Sequence, residues 1–318
     1  MALHRYRLAK PKHGSQDWLN LRFWDDNHNK RVSASEAAAI YGLHPFLKKD
    51  AYVARMMADQ PPAPLPPNQA MDRGNRLEHV MLKWASDLTG VDYTEPTEMF
   101  FCDSPNGARL VSTLDGYWES GNERKILEIK TSTRKWEGKL PDYWRIQGTQ
   151  QAICADVDRV TWAVFDNTMN VHIHEQIVTP AEQAEHISAV ESFLNSIELG
   201  MTPSGVRWSY ETVQSRHNKP ISKVQELDET KQELFDRLRH VRSEMESYKA
   251  LEDDIKAEIC DLIGECDTAV IGGTTVATWK PQVRESLDAK AFRADHPELA
   301  AKYTKQTTTR VFLLKGEK

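Results

Sequence analysis

Asp115, twelve intervening residues, and then Glu128-Ile129-Lys130 form the stretch best equipped for chemistry. Lys125 to Lys130 reads as a short strand, in which Leu127 and Ile129 point one way and Glu128 and Lys130 the other. Ala108 to Leu114 reads as a second strand. If the two pair as a hairpin, Asp115 comes beside Glu128. Two ionised carboxylates side by side repel, so one pKa rises unless a cation sits between them. Mg²⁺ suits such a place, because it takes oxygen ligands and keeps several waters. Lys130 would then hold an attacking water or a phosphate oxygen. A centre of this kind acidifies bound water and neutralises charge on a phosphodiester in its transition state. A plainer reading stays open: Asp-Gly is a common turn signal, and a Glu/Lys face on a surface hairpin needs no metal.

The 318 residues suffice for about two or three modest domains. Hydrophobic content of 40% with 28% charged residues is globular composition, neither disordered nor membrane-like. No apolar run approaches the ~20 residues of a membrane span, and the first residues lack the apolar core of a signal peptide. Cys102, Cys154, Cys260 and Cys266 form no C-x-x-C pair, which argues against zinc or iron–sulfur binding and fits a reduced cytosolic setting. The net charge of −6 at first argues against nucleic acid as a partner. Its distribution removes the objection: residues 223–265 hold 7 Lys/Arg and 13 Asp/Glu, and the rest of the chain holds 34 of each sign.

The elements that must position these groups follow from periodicity. Residues 15–59 read as helices, with Ser33-Ala34-Ser35-Glu36 offering N-cap hydroxyls ahead of Ala37-Ala38-Ala39. Residues 61–67 read as a polyproline connector. Residues 72–89 read as a long helix with Leu77, Met81, Trp84/Ala85 and Leu88 as its buried stripe. Glu78 lies at the rim of that stripe and needs a partner, for which Arg73 or Arg76 is the ordinary choice. Strands follow at about 97–102, 108–114 and 125–131, then a helix over 141–155 with Gln147, Gln150, Gln151 and Cys154 on one face. Arg159 to Phe165 and Val171 to Val178 read as strands; His172 and His174 share a polar face of the second, without a third ligand, so solvent is expected there. Thr179-Pro180-Ala181-Glu182 opens a further helix. This order makes an α/β core with a mixed sheet. Residues 200–222 read as connector. From about 226 to 263, Leu234, Leu238, Val241, Met245, Tyr248, Ile255, Ile259 and Leu262 recur at 3/4 spacing with Glu252 the break, a coiled-coil-like helix or antiparallel pair whose charges form a solvated face. A Gly272-Gly273 hairpin, a helix broken at Pro297 and a last strand over 308–314 complete the reading.

The ordered set Glu78, Asp115, Glu128-x-Lys130 and Gln147 resembles the PD-(D/E)XK nuclease superfamily, and more closely the lambda exonuclease/YqaJ viral recombinase family. Trp18-Leu19-Asn20-Leu21-Arg22 with Val32-Ser33-Ala34-Ser35-Glu36 resembles that family's W-x-x-L-R…I-T-A-S-E. Arg73-Gly74-Asn75-Arg76-Leu77-Glu78 is similar to its W/R-G-x-x-x-E helix, and Ile146-Gln147 to its glutamine-bearing helix. The likeness spans roughly residues 15–200. It implies a restriction-endonuclease-like mixed-sheet core flanked by helices, with a C-terminal helical (coiled-coil-like) plus small β extension. The corresponding division is an exonuclease domain over 1–205, a connector over 206–225 and the extension over 226–318.

By the same resemblance, Asp115, Glu128 and the Ile129 carbonyl would hold the metal, Glu78 a second ion or its water, and Lys130 the nucleophilic water. Gln147 would support Lys130 or the scissile phosphate, and Arg22 and Ser35 would grip a terminal 5′-phosphate. The segment Phe23 to Arg31 is longer than the family pattern, so Arg31 competes with Arg22 and Ser33 with Ser35. Arg134, Lys135 and Trp136 follow the catalytic strand and either touch DNA or form an ordinary solvated loop. The implied activity is a 5′→3′ exodeoxyribonuclease on ends of linear double-stranded DNA, leaving 3′ single strands for phage-type recombination. One or two Mg²⁺ ions per site, with Mn²⁺ as an alternative, would serve it. A homotrimer, a single-strand annealing partner and the cytoplasm of a bacterial or phage-infected cell follow by the same analogy, with no membrane. The rivals are a structure-specific or restriction-type endonuclease of the same superfamily and a non-enzymatic DNA-end-binding assembly protein.

Overall fold

The apolar stripe at 72–89 lies on a 21-residue helix, Gln69–Thr89, in the computed structural model. Only one side of it is covered: Met81 and Ala85 are buried, whereas Trp84 and Leu88 are exposed. The structure describes residues 2–63, 69–217, 223–305 and 310–315. It divides into the units Met1–Arg216 and His217–Lys318.

In the first unit the order is β1 (His4–Ala9), α1 (Gln16–Phe23), β2 (Val32–Ser33), a 3₁₀ helix (Ala34–Ala39), α2 (Lys49–Met56), α3 (Gln69–Thr89), β3 (Glu98–Asp103) and β4 (Arg109–Ser112). There follow β5 (Gly116–Ser120), β6 (Glu123–Thr131), α4 (Asp142–Ala155), β7 (Arg159–Phe165), β8 (Val171–Ile177), α5 (Pro180–Glu198) and α6 (Tyr210–Arg216). Two four-stranded sheets result, β1-β3-β4-β2 and β5-β6-β7-β8. Each is mixed: β2 runs parallel to β4 and β6 parallel to β7, while the other pairs are antiparallel. The fold class is thus α/β with mixed sheets flanked by helices.

Local chemistry explains several boundaries. Ser15 caps α1 by accepting from the Trp18 N–H. Thr179 and Glu182 close a full capping box on α5, with Pro180 in its first turn. Gln150 is fully buried on α4, and its amide donates to the Val32 and Val111 carbonyls at 2.7 and 3.0 Å. Those carbonyls belong to β2 and β4, so a single side chain ties α4 to two strands of the first sheet. The main core gathers Tyr52, Phe100, Leu110, Ile126, Ile153, Trp162 and Phe193. On the other face of the second sheet, Leu127 and Ile129 pack with Met81, Leu77 and Leu82 of α3.

The expected pairing of 108–114 with 125–131 does not form. β4 belongs to the first sheet, and the hairpin partner of β6 is β5, with Gly116 opposite Leu127 and Ser120 opposite Glu123. Gly121, at a φ of +59°, makes the two-residue turn with Asn122. The connector over 200–222 contains the short helix α6, anchored where the buried Asp50 carboxylate accepts from the Ser209 N–H at 2.8 Å. The polyproline run 61–67 lies mostly outside the described residues, and 61–63 carry no helix or strand.

In the second unit, the heptad-patterned segment is one continuous 32-residue helix, α7 (Gln232–Ile263). Leu234, Val241, Met245, Tyr248, Ile255, Ile259 and Leu262 are all exposed along it. β9 (Thr268–Ile271) and β10 (Thr274–Thr278) form the glycine-turned hairpin, and α8 (Ala289–Asp295) and α9 (Pro297–Tyr303) flank the break before Pro297. The last strand expected over 308–314 is not seen at 310–315, and 306–309 lie outside the described residues. No helix among the described residues is long and apolar enough to cross a membrane.

Candidate active site

β6 supplies the centre of the site. Glu128 is 3% exposed, and burying a carboxylate is costly unless it is fully hydrogen-bonded. Three donors converge on it. Gln147 Nε2 lies 2.5 Å and Lys130 Nζ 2.6 Å from Oε1, and Gln151 Nε2 lies 2.5 Å from Oε2. Gln147 and Gln151 are one turn apart on α4, so the same helix face reaches both oxygens. Gln151 sits on the glutamine face legible at 141–155, but the sequence assigns only Gln147 to the site, as support for Lys130 or the scissile phosphate rather than for Glu128. The i, i+4 relation between them is the signal that would have found the second.

Asp115 reaches Glu128 by a route other than the expected hairpin. It is the last residue before β5, and β5 ends its pairing with β6 at Gly116 opposite Leu127. Its Oδ2 accepts from the Ile129 N–H at 2.7 Å. Backbone N–H and C=O of one strand residue point to the same side, so the Ile129 carbonyl opens toward Asp115, beyond the end of the hairpin. Burial first, and then the charge of Glu128, push the Asp115 carboxyl well above the usual range, with Glu78 adding to the push and Lys130 opposing it. Burial also works against the Lys130 ammonium, but Glu128 and Asp115 hold its pKa above the ordinary value. Glu78 comes from α3, on the opposite face of the sheet from α4. Its carboxyl is raised by burial and by Glu95 and Glu128, against Lys10 and Lys130. Arg76, its suggested partner, pairs instead with Asp72 at 2.9 Å.

Glu78, Asp115, Glu128 and Lys130 therefore lie within electrostatic reach of one another, and Gln147 hydrogen-bonds Glu128. Among the described residues no group of three or more His, Cys, Asp or Glu stands ready as a metal cage. Glu128 is occupied by amides and lysine, and Asp115 by a backbone N–H. The donor set is nevertheless of the right kind: hard carboxylate oxygens and one carbonyl, where burial and neighbouring negative charge raise the Asp115 carboxyl.

A second cluster lies at the start of the 3₁₀ helix. Arg22 Nη2 donates to Ser33 Oγ and to Ser35 Oγ, both at 2.8 Å, and its guanidinium stacks 4.1 Å over the Trp18 ring. Ser33 does not cap the helix. Its hydroxyl donates to Glu36, which is also bridged to Arg55 at 2.9 Å. Ser35 is exposed and Ser33 buried. Arg31, the competing arginine, is 3% exposed, and its guanidinium is used inside the fold. It donates to the Leu21 and Trp24 carbonyls at 2.9 and 2.5 Å and to the Tyr6 hydroxyl at 2.8 Å, closing the loop that lengthens this region. Of the two arginines, only Arg22 stands beside the serines.

Arg134 and Lys135 are exposed on the loop after β6. Trp136 is half-buried, stacked on Trp144 at 6.0 Å, which in turn stacks on Trp162 at 5.8 Å. The Trp136 N–H donates to the buried Asp166 carboxylate at 2.8 Å, and His172 shares that carboxylate at 3.1 Å. His172 is thus part of a loop anchor, and His174 lies edge-on to Trp136, where solvent alone was expected for both.

His186 on α5 completes the buried network around Gln150. Its Nε2 donates to Gln150 Oε1 at 3.0 Å, so Nδ1 accepts from the Tyr41 hydroxyl at 2.9 Å. Burial pushes the imidazole down to about 4. A folded-state value below the unfolded one means stability that is complete above the ordinary imidazole range and is lost as pH falls toward about 4. Between pH 7 and pH 4, urea unfolding should show the wild type losing on the order of 2–3 kcal/mol more than a His186→Asn variant. Parallel losses would rule out His186 as the source.

Two solved structures are similar to this chain at low identity. An alkaline exonuclease from Laribacter hongkongensis shares 20% identity, with 58% of this chain and 94% of that one covered, at a TM-score of 0.45. A phage-related exonuclease from Haemophilus somnus 129PT shares 14%, with 56% and 99% covered, at a TM-score of 0.39. No curated protein matches the sequence. Residues 23–158 match the family model of the YqaJ-like viral recombinase domain. That stretch lies within the first unit and includes Glu78, Asp115, Glu128, Lys130 and Gln147.

Proposed function

We propose that the first unit is a metal-dependent exodeoxyribonuclease that digests one strand of linear duplex DNA from a 5′-phosphorylated end and leaves a 3′ single strand. The observation that carries this reading is the convergence of Asp115, Glu128 and Lys130 on one end of β6, with Glu78 in electrostatic reach. Asp115, Glu128 and the Ile129 carbonyl would hold a Mg²⁺ ion, or Mn²⁺ in its place, and Glu78 a second. Bound there, the ion would supply charge neutralisation and an acidified water. The protein's own part is positional. Gln147 and Gln151 fix both oxygens of Glu128, the Ile129 N–H fixes Asp115, and Lys130 presents an ammonium that its neighbours keep charged. A phosphodiester placed there meets a preset field and needs little reorganisation of the site.

Arg22, with Ser33 and Ser35, is the proposed grip on the 5′-phosphate. A guanidinium presents a planar fork of donors that matches phosphate oxygens. Blunt linear duplex should be digested from a phosphorylated end, and a covalently closed circle left intact. Arg22→Lys should reduce the preference for a 5′-phosphate over a 5′-hydroxyl by about 10-fold or more, because an ammonium cannot reproduce the fork. Cutting of the closed circle would favour an endonuclease instead, and no digestion in Mg²⁺ beyond that in EDTA would remove the enzymatic reading altogether. A homotrimer around DNA and a single-strand annealing partner, in the cytoplasm of a bacterial or phage-infected cell, complete the proposal. The exposed heptad stripe of α7 is a surface that either partner could use.

A further inference from the structure

Phe46 is 91% exposed, the most exposed aromatic ring among the described residues. A ring of that size is normally covered, since removing it from water is favourable. Among the described residues its ring neighbour is His44, edge-on, and its backbone N–H is hydrogen-bonded. The Phe46 N–H donates to His44 Nδ1 at 3.2 Å, and the His44 ring also hydrogen-bonds the Ser35 backbone. Ser35 Oγ in turn receives Arg22. The bare ring is therefore tethered, through one histidine, to the residues proposed to grip the 5′-phosphate.

Lysines stand next to the ring in sequence, while the carboxylate within reach of His44, Glu36, is ion-paired to Arg55. Lys48 and Lys49 follow Phe46 in sequence, and Arg55 lies within electrostatic reach of His44. A row of rings also leads inward. His44 lies 6.3 Å from Phe46 and 6.5 Å from Tyr143, and Tyr143 is within electrostatic reach of Lys130. Phe46, His44 and Tyr143 thus form a chain of neighbouring rings that ends within electrostatic reach of Lys130.

We propose that Phe46 is a base-stacking residue, which holds the terminal base at the 5′-phosphorylated end of the DNA while Arg22 and Ser35 hold its phosphate. The inference rests on the nuclease reading above and adds the contact to the base. An aromatic face accepts any base, so the contact would fix the position of the end without imposing sequence preference. It also accounts for a hydrogen-bonded backbone under a ring that packs on little of the protein itself.

The test is a binding titration with the full chain in EDTA, read by fluorescence anisotropy. The probe is a blunt duplex with a 5′-phosphate, used with its terminal base intact and again with that nucleotide abasic. Phe46→Ala should bind the intact end about tenfold more weakly than wild type, and Phe46→Trp within about twofold of it. On the abasic end, wild type and Phe46→Ala should bind alike. The side chain is exposed, so thermal melting should be the same for all three proteins. Equal affinity of wild type and Phe46→Ala for the intact end would overturn the proposal, as would an equal loss on both probes. A surface reserved for another protein would give the first of these results. Wild type that neither binds nor digests linear DNA would overturn the nuclease reading, and with it the stacking role. Wild type that digests DNA while Phe46→Ala binds as well would overturn the stacking role alone.

Discussion

Replacing Lys130 by methionine should lower digestion of linear duplex DNA by about 10³-fold, equivalent to roughly 4 kcal/mol of transition-state stabilisation, while binding of DNA ends in EDTA persists. The side chain keeps its length, and Glu128 retains the amides of Gln147 and Gln151, so the local fold survives. What disappears is the Lys130 ammonium, which lies within reach of both Glu128 and Asp115. Initial rates with and without the substitution, on the same phosphorylated duplex, settle the matter. Near-wild-type digestion would remove Lys130 from the chemistry. Glu128→Gln is a poorer probe than it looks. Three donors point at two carboxylate oxygens, and an amide would turn one acceptor into a donor facing a donor. That mismatch should cost about 1–3 kcal/mol of stability on its own, so lost activity would not separate chemistry from folding.

The second large effect is expected at Gly148, between the glutamines of α4. A Cβ there would stand 2.4 Å from Gln176 Oε1 and 2.8 Å from Trp162 Cζ2. Neither neighbour yields easily. Trp162 is fully buried, and Gln176 is fixed by accepting from the Trp162 indole at 3.1 Å and donating to the Arg145 carbonyl at 2.8 Å. Gly148→Ala should therefore destabilise by about 2–4 kcal/mol, combining overpacking with strained buried hydrogen bonds. It should also weaken catalysis in whatever fraction remains folded, because α4 is lifted away from Glu128. Urea unfolding gives the first quantity, and the initial rate per folded molecule gives the second. An unchanged unfolding midpoint would show that the sheet can yield without cost.

Much of the architecture was legible because periodicity is local. The strands at 97–102 and 125–131, the glutamine-bearing helix and the capping box at Thr179 all appear close to their expected places. What local pattern could not supply was partnership. Ala108 to Leu114 is a strand by composition, but which sheet it joins depends on residues far along the chain. Gly121-Asn122 was an available hairpin signal, and it would have placed β5 rather than β4 beside β6. Ser33 resembles a cap by position, yet its hydroxyl lies between Arg22 and Glu36, an arrangement that no window around residue 33 contains. Arg31 and Arg22 are both arginines near the serines in sequence, and only their partners in the fold, carbonyls and Tyr6 for one and the two serines for the other, tell a loop clamp from a phosphate grip. Phe46 was invisible for the opposite reason: one apolar residue in a short loop carries no periodicity, and its exposure is a property of the folded surface.

Helix α4 touches both halves of the proposed task. Gln150 holds the carbonyl of Val32, next to Ser33, while Gln147 and Gln151 hold Glu128. Grasping an end and severing a bond are thus mounted on a common beam, and loosening the beam disturbs both together. Anyone wanting a cleavage-dead clamp for DNA termini should leave that beam untouched and alter Lys130, whose ammonium is the part proposed for cutting and not for holding the terminus.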